Sequence, residues 1–155
     1  MEIKLLPIER LEELNAIYDM SRYENFQNTR RDNLENCREI CAVAEHEGKF
    51  VGEISIMTQN SNIPAAVIPN KRVYIFGLRI LPEYQRRRIG TALLEYAIGL
   101  CVNRGIFEFT IGVEQDNEIA RKMYEKLGFS QFLENCSEMQ YGRMCRYDLL
   151  MLKLR

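Results

Sequence analysis

Arg86, Arg87 and Arg88 stand side by side, preceded by Gln85 and followed by Ile89, Gly90 and Thr91. Adjacent guanidiniums offer charge-assisted donors suited to phosphate oxygens. A glycine just beyond them lets backbone approach a ligand closely. The run separates a β-rich stretch, RVYIFGLRIL, from an amphipathic one, RIGTALLEYAIGLCV. It therefore marks a strand-to-helix junction, where free N–H groups and the helix dipole favour an anion. On this chemistry alone a pyrophosphate cradle and a solvated basic loop are both open.

Other chemistries lack their residues. A nucleophilic triad needs a base, and the sole histidine, His46, lies between two glutamates in a predicted hairpin turn, which suits a solvated residue. Neither G-x-x-x-x-G-K-S/T nor G-x-G-x-x-G occurs, so nucleoside-triphosphate and dinucleotide signatures are missing. The five cysteines, Cys37, Cys41, Cys101, Cys136 and Cys145, form no C-x-x-C pair. Cys37 and Cys41 are spaced to share a helix face, but zinc would need more ligands, and small buried hydrophobes are the expectation. An odd count points to reduced thiols in a cytoplasm rather than a disulfide framework.

The elements that would position the arginine run follow from periodicity. EIKLLP reads as a first strand. IERLEELNAIYDMSRY is spaced as a helix through Leu11, Leu14, Ile17 and Tyr18, and RDNLENCREIC as a second. Alternation on either side of HEGK predicts a hairpin turning at Gly48. NSNIPAAVIPNK, with two prolines and three asparagines, is a loop or flap. RVYIFGLRIL suits a central buried strand, with Gly77 marking a bulge or close backbone approach. Ile89, Leu93, Leu94, Ala97, Ile98, Cys101 and Val102 line one face of a helix that Gly105 ends. IFEFTIGV is a strand. DNEIARKMYEKLGF is a helix capped by Asp116 or Asn117 and closed at Gly128, and YDLLMLKL is a last strand. The second half thus alternates strand and helix around a mixed sheet.

A chain of 155 residues with 46% hydrophobic residues and a net charge of −1 fits one folded domain, residues 1–155, without the bulk basicity that drives nucleic-acid binding. The N-terminus lacks a signal-peptide pattern, and no apolar run nears the roughly 20 residues of a membrane span. A cytoplasmic protein is expected.

Two segments, LRILPEYQRRRIGTALLEYA and VEQDNEIARKMYEKLGF, resemble the GNAT N-acetyltransferase family. The family signature Q/R-x-x-G-x-G/A aligns with Gln85 to Gly90. The pattern N-x-x-A-x-x-x-Y-x-x-x-G-F aligns with Asn117, Ala120, Tyr124, Gly128 and Phe129. Two motifs in the right order are more specific than either alone, and the clear resemblance covers roughly residues 73 to 130. One departure stands out: Arg88 occupies the position of the first motif glycine.

The resemblance implies an α/β (α+β) fold, with a mixed, mostly antiparallel central sheet splayed at its middle and helices on both faces, the acyl-CoA N-acyltransferase fold. It implies acetyl-CoA as cosubstrate, with no metal, between the strand ending near Ile80 and the one ending near Val113. Leu78, Arg79 and Ile80 would pair with the pantetheine arm, and an N–H there would polarise the thioester carbonyl, a role worth about 3 kcal/mol. Gln85, Arg86, Arg87, Arg88, Ile89, Gly90 and Thr91 would hold the diphosphate, and Asn117 would contact the cofactor arm. Tyr124 would bind the cofactor and protonate the leaving sulfur as general acid; by spacing alone an inward-packed aromatic is the favoured reading, and the motif reverses that preference. Attack by a neutral amine also needs a base, for which Glu53 and Glu114 are the candidates, each equally a solvated carboxylate.

The function implied is acetyl transfer to a primary amine, of a small molecule or a peptide, by direct attack in a ternary complex. Polyamines, aminoglycosides, amino acids and protein N-termini stay open as acceptors. Two other readings compete. One is a non-catalytic acyl-CoA-binding sensor, motivated by Arg88. The other, a nucleic-acid module using Arg86–Arg88 with Arg30, Arg31, Arg143 and Arg146, is disfavoured by the near-neutral charge. Neither nucleic acid nor membrane is an expected partner. A monomer or homodimer is expected, with Met144 to Leu152 as a candidate edge strand.

Overall fold

Seven strands form one sheet: β1 (Glu2–Leu5), β2 (Glu39–His46), β3 (Lys49–Met57), β4 (Arg72–Ile80), β5 (Glu108–Glu114), β6 (Gln131–Gln140) and β7 (Arg143–Lys153). The computed structural model describes residues 1–59, 61–140 and 142–155. Strand order is β1-β2-β3-β4-β5-β7-β6, and only the β4–β5 pair is parallel. This is the mixed, mostly antiparallel sheet that the resemblance implies.

Alternation along β2 assigns the two faces. Cys41 and Val43 pack with Phe50 against Leu11 and Leu14 of a 3₁₀ helix, Ile8–Ala16, and against Leu34 of α1 (Glu24–Glu35). Ala42 and Ala44 point the other way, into the core under α2 (Ile89–Val102) and α3 (Glu118–Lys126). There Leu93, Leu94, Ala97 and Cys101 of α2 meet Ile54, Ile75, Phe109 and Phe129. Burying each large aliphatic side chain stabilises the fold by about 1.5–3 kcal/mol.

Several expectations are corrected. The first helix is 3₁₀ rather than α, as the spacing of three between Leu11, Leu14 and Ile17 favours. The second starts earlier, at Glu24, and ends before Cys37. Cys37 (φ 59°) is exposed, while Cys41 is buried on β2, so they share no helix face. His46 is the last residue of β2, not a turn residue; the turn is Glu47–Gly48, both at positive φ (52° and 78°). His46 stacks edge-on against Tyr84, 5.7 Å between ring centres. An unforeseen strand, β6, pairs with β7, so β7 is interior and the sheet edges are β1 and β6. Among the described residues, no helix is long and apolar enough to cross a membrane.

Candidate active site

The sheet opens between β4 and β5. They pair only from Arg72↔Glu108 to Ile75↔Ile111. Beyond that point β4 follows β3 as far as Ile80↔Gly52, and β5 follows β7 as far as Glu114↔Tyr147. Two features drive them apart. Glu53 faces Arg79 while Ser55 faces Phe76, so β4 carries one extra residue, and Gly77 takes it up at φ 64°. On the other side, Gly112 leaves room for aromatic rings. A Cβ there would lie 2.8 Å from the Tyr147 ring and 3.2 Å from Tyr74 Oη. The resulting cleft, about 360 Å³, is lined by Gly77, Leu78 and Arg79 on one wall and by Gly112, Glu114 and Tyr124 on the other. Among the described residues, β4 has no strand on its β5 side past Ile75, so its backbone groups there can pair with a ligand arm.

The arginine loop follows β4; none of its residues lines the cleft, and Gly90 adjoins the cleft through Leu78. A short 3₁₀ turn, Pro82–Tyr84, leads into the loop, and Gln85 Nε2 donates to Ile80 O at 3.0 Å. Arg86 and Arg88 both take left-handed backbone (φ 66° and 63°), with Arg88 as N-cap of α2. Ile89 anchors the first turn by burial, and the Ala92 N–H donates to Arg88 O at 3.1 Å. The N–H groups of Ile89, Gly90 and Thr91 precede the helical ladder and stay available. Gln85 to Arg88 are exposed, and among the described residues none of the three arginines joins an ion pair. Arg87 instead lies 5.2 Å from the Tyr84 ring.

Gly90 tests whether the loop fits a coenzyme. An added Cβ would meet only Leu78 Cδ2 and Met123 Sδ, each at an ordinary 3.8 Å. The packing of the chain therefore does not require glycine here. Glycine there leaves the backbone open to close approach by an external group, and Leu78, the neighbour, also lines the cleft.

Tyr124 is 8% exposed, faces the cleft, and packs edge-on against Phe129 at 6.2 Å. Burial pushes its phenol above the ordinary value, so it stays a proton donor. Asn117 caps α3, its Oδ1 accepting from the Ala120 N–H at 3.1 Å. Glu114 sits exposed at the cleft end of β5.

Glu53 is placed differently. It is 1% exposed, on the α1 face of the sheet. Arg30 Nη2 donates to it and to Ser55 Oγ, both at 3.0 Å, while Arg30 Nε donates to Glu39 at 3.0 Å. Burial opposes the Arg30 charge, but Cys41, Glu53 and Glu39 around it more than compensate, and its pKa is raised. Burial likewise pushes the Glu39 carboxyl up. Arg79 Nη1 reaches Glu53 at 3.9 Å, and its guanidinium stacks on Tyr18 at 4.1 Å.

The model of the acetyltransferase (GNAT) family matches residues 8–129. The chain belongs to this family. It is 39% identical over 111 residues to N-alpha-acetyltransferase 30 of Schizosaccharomyces pombe, covering 72% of this chain and 65% of that protein. It is 33% identical over 78 residues to the ribosomal protein bS18-alanine N-acetyltransferase of Escherichia coli K12, covering 48% of this chain and 53% of that protein. The chain thus spans about half to two thirds of the length of these relatives. Its fold matches the PaiA N-acetyltransferase of Thermoplasma acidophilum, solved in complex with coenzyme A, at a TM-score of 0.69, 20% identity and 99% of both chains.

Within this GNAT framework the structure brings Leu78, Arg79, Glu114 and Tyr124 to one cleft, with Gly90 beside it. Ile80 continues β4 against Gly52, and Glu53 sits apart in its ion cluster. Sequence reasoning passed over Tyr74, Glu138 and Tyr147, which also line the cleft. Tyr74 carried one signal, its place in β4 ahead of Gly77. Glu138 and Tyr147 belong to the β6–β7 hairpin, half of which went unrecognised.

Proposed function

We propose that this GNAT protein is an N-acetyltransferase that moves the acetyl group of acetyl-CoA to a primary amine by direct attack in a ternary complex. The observation that carries this reading is the split between β4 and β5 beyond Ile75 and Ile111, with Tyr124 on its wall and Gly90 beside it. Acetyl-CoA, when bound, supplies an activated thioester. The first turn of α2, with Gln85 to Arg88, would hold the diphosphate, and the free edge at Leu78 to Ile80 the pantetheine arm. Backbone N–H groups on that edge would steady negative charge on the thioester oxygen.

Tyr124 would donate to the departing sulfur. A thiol near pKa 8.5 is a stronger acid than a buried phenol, so the donated hydrogen bond matters more than complete transfer. Glu114 is the better placed of the two candidate bases, because it lines the cleft while Glu53 is engaged by Arg30. Cys145 also borders the cleft, but direct attack needs no covalent enzyme intermediate.

The relatives named for N-alpha-acetyltransfer and for a ribosomal-protein alanine support the α-amine of a peptide as acceptor. The five free thiols support a reducing compartment, the cytoplasm. A steady-state assay of CoA release from acetyl-CoA with a peptide and small-amine panel tests the reading. Turnover with at least one amine, falling at least ten-fold in Tyr124→Phe with acetyl-CoA affinity kept, is expected. Acetyl-CoA binding without turnover on any amine would favour the sensor instead.

A further inference from the structure

A second cavity, about 150 Å³, opens off the cleft and shares Tyr74, Phe76, Glu138 and Tyr147 with it. Met57, at the end of β3, and Ile63, from the loop that follows, add apolar side chains to its wall, and Ser61 and Asn62 of the same loop add polar ones. Tyr74 and Phe76 stack almost parallel, 6° apart at 5.7 Å. A cavity of this volume holds about six carbon atoms.

The roof is tied down. Arg72 Nη1 donates to Ala65 O at 2.8 Å, Thr110 Oγ1 donates to Ala66 O at 2.8 Å, and the Ala66 N–H donates to Ile63 O at 3.0 Å. Ala66 itself is fully buried. These bonds hold Ile63 in place at the pocket.

Tyr147 supplies the second observation. It is 6% exposed, and among the described residues its buried hydroxyl meets no partner in good hydrogen-bonding geometry; burial first, with the nearby Glu138 carboxylate among the lesser causes, pushes its phenol up. A buried hydroxyl left so carries a desolvation cost that a ligand atom bonding it would recover. The ring is pressed over Gly112, so it cannot swing away toward β5.

Resting on the acetyltransferase reading, we infer that this side pocket receives the first side chain of a peptide acceptor while Tyr147 donates its hydroxyl to the first carbonyl oxygen. The shape demands an amine whose neighbouring carbon bears both an apolar branch and a hydrogen-bond acceptor. An α-aminoacyl group has this form, and a linear polyamine does not. Glu138 on the wall disfavours an acidic first side chain and the carboxylate of a free amino acid.

The experiment uses the full chain with acetyl-CoA and peptides identical except for a first residue of Met, Leu, Gly or Glu, with the acetyl-CoA Kd measured separately. Met and Leu peptides should exceed Gly and Glu peptides at least ten-fold in kcat/KM. Ile63→Trp, which fills the pocket, should bring the Met to Gly ratio close to one and keep acetyl-CoA affinity within twofold. Tyr147→Phe should raise the peptide KM about ten-fold and leave the KM of a simple alkylamine in place. Equal rates across first residues would overturn the inference. So would an Ile63→Trp variant that slows every peptide alike, or turnover of small amines with no peptide accepted. Failure to bind acetyl-CoA would instead sink the acetyltransferase reading, and the pocket's role with it.

Discussion

Arg30 Nη2 lies 3.0 Å from Glu53 Oε1, with both side chains inside the protein. This pair divides the two candidate bases. Glu53 is one of two carboxylates around a guanidinium that fastens α1 to β2 and β3. Removing its charge should cost about 3 kcal/mol, the lower end for breaking a buried pair, because Glu39 still faces Arg30. Glu53→Gln should therefore lower the urea midpoint while kcat of the folded protein changes less than threefold. Glu114→Gln should do the reverse, lowering kcat about 100-fold at an unchanged midpoint. Denaturation curves and kcat on both variants check this.

Gly90→Ala should separate folding from binding. The new methyl meets only ordinary contacts, and alanine favours a helix over glycine by up to about 1 kcal/mol. The free protein should become slightly more stable. The same methyl stands where the diphosphate is to pass, so acetyl-CoA affinity should fall at least ten-fold, as calorimetry would show.

Arg88 occupies a left-handed conformation that costs a non-glycine residue about 1–2 kcal/mol. Arg88→Gly removes that strain but frees the unfolded chain, so a net gain of up to about 1 kcal/mol is expected. Acetyl-CoA affinity should hold or improve. A loss above ten-fold would show that the Arg88 guanidinium itself grips phosphate.

Burial pushes the Cys101 thiol up to about 11 and the Cys41 thiol up to about 12, from an ordinary 9.0. Above pH 9.0 both thiols ionise in the unfolded chain while the folded chain holds their protons. Unfolding then releases protons. The stability they contribute is complete below pH 9.0 and drains away as the pH climbs toward 11 and 12. Near pH 10.5 Cys101 alone should account for about 2 kcal/mol of lost stability. Urea midpoints at about pH 8 and 10.5 should show the drop, and Cys101→Ala should shrink it.

Much of this was legible in the residues. The α2 helix was visible because its buried face repeats at helical spacing, and the β2–β3 hairpin because alternation brackets Gly48. The bulge at Gly77 was legible because glycine inside an apolar strand has few other purposes. β6 was not: it is polar and lies at an edge, and a register shift between Phe132 and Glu134 breaks its alternation. Losing β6 made β7 look like an edge and hid Glu138. Glu53 was placed on the right strand, but its fate depends on Arg30, 23 residues away in sequence, which no local pattern reports. The side pocket was illegible for the same reason, since it joins β3, β4, β6, β7 and a loop.

A crystal structure of the full chain grown with coenzyme A tests the central claim most directly. The account predicts the diphosphate within hydrogen-bonding distance of the N–H groups of Ile89, Gly90 and Thr91, and the pantetheine arm running along Leu78 to Ile80 toward Tyr124. Coenzyme found elsewhere, or the split between β4 and β5 still empty at saturating coenzyme, would contradict it.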